Sequence, residues 1–184
     1  MLTIEAYFHI LFVLALVVPY EFKSWKKIII LISIFTLAHC ITTTLCAFNF
    51  FTPNTHIISF LVPVSILIVA LYNIISSGKL SKKDNILVIA IITGFYGLIH
   101  GLGYYSYFSK VISTKPTDKL LPIFEFGLGI EVSQITIALL ALLAGYVIQT
   151  LFKFSKRDWT LTISGFIVGV MIPLIMQHKI WLRL

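Results

Sequence analysis

Four side chains able to bind a cation or move a proton lie within long apolar stretches of this chain: His9, His39, His100 and Glu131. An ionisable group in hydrocarbon costs roughly 2.5–3.5 kcal/mol on insertion scales, so each one needs a physical reason to be there. Imidazoles together with a carboxylate are a usual donor set for a divalent first-row transition metal ion. The same groups could relay a proton or activate a water molecule. Their spacing is dispersed and has none of the tight pattern of an HExxH run or paired CxxC motifs, so these chemistries stay open.

The neighbours of these residues indicate inward-facing positions. Thr36, His39 and Thr43 fall at i, i+3 and i+7, which puts a polar stripe on one helix face. Tyr96, His100 and Tyr104 stack in the same way, and Gly97, Gly101 and Gly103 leave little bulk around them, allowing close helix approach or a cavity. Gly127 and Gly129 precede Glu131, and Gln134 shares its face at i+3. Glu125 lies nearer the start of that helix. His56 and His178 fall at the ends of apolar runs and read as solvated, and the tyrosines near His100 read first as interface residues. Cys40 adjoins His39 but points about 100° away, and Cys46, six positions on, points elsewhere again, so neither a ligand role nor a disulfide is expected. Ser33, Ser106 and Ser133 form no recognisable nucleophile constellation.

The elements that must carry these residues follow from composition. Of 184 residues, 59% are apolar and 11% charged, against about a quarter charged in an ordinary soluble domain. The mean hydropathy is +1.01, a surface suited to a lipid bilayer. The expected fold is all-α: a single domain over residues 1–184, a bundle of about six transmembrane helices at residues 2–20, 28–48, 57–75, 86–107, 120–149 and 159–176. The first run lacks a basic leader and a small-residue cleavage site, so it reads as a retained helix. Pro63 and Pro173 fall inside spans, where neighbouring helices can satisfy freed carbonyls. The fifth run exceeds one span and must tilt or begin outside the hydrocarbon.

The net charge of +7 is spread in short clusters between apolar runs, which argues against a nucleic-acid partner. Lys23, Lys26, Lys27, Lys79, Lys82, Lys83, Lys153, Lys156 and Arg157 fall on one side; Lys110, Lys115, Lys119, Lys179 and Arg183 fall on the other. The positive-inside rule then predicts both termini outside, in the cytoplasmic (inner) membrane. Trp25, Trp159, Trp181, Tyr104, Tyr105 and Tyr107 fall near the predicted interfaces. Counted from the outer ends, His9 and His100 lie at a depth of ~10 Å, His39 at ~13 Å and Glu131 at ~16 Å, one layer slightly outside the midplane.

The segments FTLAHCIT at 35–42, FYGLIHGLGYYSYF at 95–108 and FEFGLGIEVSQ at 124–134, with FHILFVLALVVPY at 8–20, resemble the HupE/UreJ family of membrane proteins. The resemblance spans most of the chain. It implies a nickel or cobalt permease, with His9, His39, His100 and Glu131 at the family's polar intramembrane positions. Two other functions remain open on the residues themselves. One is an intramembrane zinc-dependent hydrolase or transferase acting on a lipid or lipidated substrate, with Glu131 as general base. The other is a non-catalytic assembly subunit whose buried polar groups specify helix pairing. Six helices are few for alternating access, so a homo-oligomer is a further expectation.

Overall fold

The computed structural model describes residues 4–76, 86–108 and 119–183. Lys79, Lys82, Lys83, Lys110, Lys115 and the first residues of the 2–20 run lie outside the described residues, as do the side chains of Ser106, Tyr107 and Arg183. The fold is all-α: six helices and, among the described residues, no strand. They are α1 (Ile4–Val17), α2 (Trp25–Ala47), α3 (Thr55–Ser76), α4 (Ile86–Phe108), α5 (Leu120–Leu151) and α6 (Lys156–Met176). Five are long and apolar enough to cross a membrane, whereas α1, with 14 residues, is apolar but shorter. The chain is an integral membrane protein.

Burial gives α1 its place, since its apolar second half is enclosed on both sides. Phe12, Ala15 and Leu16 on one side pack with Leu31, Phe35, Val62, Ile66 and Met171. Val13 and Val17 on the other pack with Ile28, Ile32, Ala138 and Leu142. Thus α1 is the central post, and the apolar residues left exposed on α4 and α5, such as Ile91, Phe95, Val132 and Leu140, face outward where lipid would cover them.

Connections are short and locally encoded. Asn49, at φ 61°, ends α2: its N–H bonds to the Cys46 carbonyl, and the next N–H, of Phe50, reaches back to Leu45. That is a left-handed terminal turn, which asparagine tolerates. A capping box of Ser155 and Asp158 starts α6. The start of α1 shares one face of the bundle with the α2–α3 turn and the end of α6: Lys119 Nζ donates to the Ala47 carbonyl at 2.8 Å, and Ser59 Oγ lies 3.0 Å from His178 Nε2. This is termed the terminal face. On the opposite, basic face, Lys156 meets Glu21 at 3.6 Å.

Candidate functional site

Helix α4 sits unusually close to α2, and two glycines allow it. A Cβ at Gly97 would lie 2.5 Å from the Phe35 carbonyl oxygen, and one at Gly101 would lie 2.5 Å from that of His39. No real side chain survives such distances, so the Gly-x-x-x-Gly spacing puts backbone against backbone. Thr43 lies in the same seam, donating to the His39 carbonyl at 2.9 Å and approaching the Gly101 carbonyl at 3.4 Å. The contact brings His39 and His100 into one layer, and α1 inserts His9 beside them. The His9 ring centroid is 5.3 Å from that of His39 and 5.4 Å from that of His100.

Aromatic rings enclose the three imidazoles. Phe35 lies 5.3 Å from His100, Tyr104 lies 5.7 Å from His39, and Phe12 lies 5.0 Å from His100. Tyr104, one of the tyrosines expected in the interface belt, therefore packs in the cluster instead. His39 is 0% exposed and His100 1%. Both ring nitrogens of His39, and Nδ1 of His100, are buried without a hydrogen-bond partner among the described residues. A buried polar atom in that state costs free energy, so these atoms call for a ligand.

Ser65 on α3 was not among the expected site residues, yet it decides the chemistry of His100. Its Oγ donates to the Val62 carbonyl at 2.6 Å and lies 3.1 Å from His100 Nε2. A serine has one hydroxyl proton, and here it is used on Val62. With the proton assigned there, Nε2–H donates to Ser65 and Nδ1 carries the lone pair that a metal ion would need. The signal was present in the sequence: Ser65 is ten residues, or ~15 Å, into α3, in the same layer as the histidines.

The other expected residues are placed as follows. Glu131 accepts a hydrogen bond from Ser33, and Gln134 accepts one from Thr36 at 3.3 Å. Ser33 is six residues, about 9 Å along α2, from His39. The carboxylate is thereby engaged in the α2–α5 contact, to the basic side of the imidazoles. Tyr96 is buried against Phe12, and Glu125 is exposed at the rim of a cleft of about 500 Å³ that reaches His9 and Gln134. Among the described residues, no three His, Cys, Asp or Glu side chains are spaced, as packed, to hold one metal ion together. Cys40 and Cys46 are free thiols, and Cys40 Sγ packs against Gly127.

A second cleft, of about 290 Å³, descends from the terminal face between α1, α3 and α4. His56 and Ser59 line its mouth, and His9, Val62 and His100 line its depth. His56 is exposed, as its place at the end of an apolar run implies, and stands at the entrance to the imidazole cluster.

Comparison with known proteins gives one finding of similarity. A family model described as HupE / UreJ protein matches residues 3–181. No curated protein and no solved structure matches the chain.

Proposed function

The chain belongs to the HupE/UreJ family, and from that premise we propose that it is a permease for a divalent transition metal ion of the nickel and cobalt class. The observation that carries the reading is the imidazole cluster at the floor of a cleft, with His39 and the Nδ1 of His100 buried without hydrogen-bond partners among the described residues. The ion enters past His56 and is held by His9, His39 and His100. Two imidazoles on one tetrahedral ion place their ring centroids about 5 Å apart, given metal–nitrogen bonds of about 2 Å. The observed 5.3 and 5.4 Å, from His9 to each of its two partners, are close to that separation, and drawing all three imidazoles onto one ion needs the cluster to tighten from its present packing. Glu131, on α5, lies to the basic side of the cluster and is engaged there by Ser33 of α2. The hydrolase alternative needs a free carboxylate beside a metal-bound water, and Glu131 is engaged with Ser33.

The test is a nickel and cobalt titration of the purified, untagged protein, paired with uptake of the same ions by cells expressing it. Wild-type protein is expected to bind near one equivalent and to raise uptake. The double variant His39→Ala/His100→Ala is expected to lose both. Glu131→Gln, which keeps an acceptor for Ser33, is expected to retain binding. Binding that is unchanged in the double variant would sink the reading. Zinc bound tightly, without transport, would favour the hydrolase.

A further inference from the structure

The cleft above the histidines has a counterpart below them between the same three helices. A cleft of about 330 Å³ with a mostly apolar lining lies between α1, α3 and α4, running from Phe12, Ile68 and Tyr96 to Tyr20 and Val88, with Asn73 and Thr93 among its polar groups. The two clefts divide each helix in order. On α1 the outer cleft ends at His9 and the inner begins at Phe12; on α3 the limits are Val62 and Ile68; on α4 they are His100 and Tyr96. These gaps of three, six and four residues correspond to ~4.5, ~9 and ~6 Å. The hydrocarbon is about 30 Å thick, so nearly all of the barrier is concentrated in one thin layer.

Phe12 fills that layer. Its side chain is 1% exposed, stacks 4.7 Å from Phe35, and lies 5.0 Å from His100 and 5.9 Å from Tyr96. Ile66, 0% exposed, completes the layer from α3. We propose that Phe12, backed by Tyr96, is the plug that separates two half-channels running between α1, α3 and α4. Displacement of this one ring joins the clefts, and an ion released by His100 then passes into the inner cleft. The plug sits against the imidazole cluster, so ligand and barrier are mechanically adjacent. The inference rests on the permease reading for its purpose, but its geometry can be tested without any metal.

The experiment uses the full chain with Cys40→Ala and Cys46→Ala, carrying one reporter thiol at a time: Ser59→Cys in the outer cleft or Thr93→Cys in the inner one. A small cationic, membrane-impermeant methanethiosulfonate is applied from the face at which Ser59→Cys reacts. With Phe12 intact, Thr93→Cys is expected to be protected from that face. With Phe12→Ala it is expected to react about tenfold faster, as an otherwise minor open state becomes populated. If Phe12→Ala fails to fold, Phe12→Val is expected to give a smaller increase of the same sign. Equal labelling of Thr93→Cys with and without the Phe12 substitution would overturn the plug. Accelerated labelling in a protein that neither binds nor carries nickel would uphold the plug and remove the permease reading, so the two failures are distinguishable.

Discussion

The proton on Ser65 is a small feature with a large consequence. With it assigned to the Val62 carbonyl, the hydroxyl accepts from His100, and Nδ1 is then the lone-pair nitrogen of the imidazole. Ser65→Ala removes the acceptor and leaves a buried N–H without a partner, which costs about 1–3 kcal/mol. It also frees the ring to take the other tautomer, and loss of such an orienting partner lowers metal affinity by about 10–100-fold. Thermal unfolding in detergent is expected to show the first effect and nickel titration the second, with Ser65→Thr restoring part of both. Loss of stability without loss of affinity would mean that the serine only packs. At this scale the sequence was partly legible. His9, His39 and His100 stood out because a titratable group in hydrocarbon is conspicuous, whereas Ser65 did not, because a serine can satisfy itself on its own helix. Glu131 was legible as unusual but not as Ser33-bound, since the direction of a long side chain depends on which helix stands opposite.

The helices themselves were legible, and their pairing was not. Apolar runs bounded by lysines mark α2 to α6 directly, because hydrocarbon demands length and apolarity of any span. Nothing in those runs says that α1 is the central post, since so apolar a helix could equally face lipid; burial of Phe12, Val13, Ala15 and Val17 is what settles it. The glycines of α4 were read as allowing either close approach or a cavity, and both occur: Gly97 and Gly101 lie against α2, while Gly103 lines the outer cleft. This difference makes a sharp prediction. Gly101→Ala pushes a methyl group into the backbone of His39 and cannot be relieved by a side-chain rotation, so overpacking of about 1–3 kcal/mol is expected. It should also separate His39 from His100 and weaken nickel binding. Gly169→Ala on α6 meets nothing within 4 Å and is expected to be neutral or to stabilise by about 0.5–1 kcal/mol through helix propensity. Melting temperatures of the two variants, measured side by side in one detergent, decide the matter; equal shifts would mean that α2 and α4 can part without cost.

For the molecule as a whole, direction is the property that gives the clefts meaning. Two basic loops separated by more than a hundred residues, Lys23, Lys26 and Lys27 in one and Lys153, Lys156 and Arg157 in the other, are brought to the same face, where Glu21 and Lys156 join them. Basic residues are retained on the cytoplasmic side during insertion, so this face should be internal and the terminal face external. On the permease reading, the cleft lined by His56 would then open outward and the imidazole cluster would receive ions from outside. Single thiols on a cysteine-free background read this directly. In intact cells, Thr55→Cys at the start of α3 is expected to react with an impermeant maleimide, and Lys153→Cys to react only after the membrane is permeabilised. The reverse pattern would leave the histidine cluster in place but turn its mouth toward the cytoplasm. On the permease reading the proposed route would then be entered first from the cytoplasm, with the direction of net movement left to the ion's own gradient, because the charge on the loops decides only which end of the bundle faces which compartment.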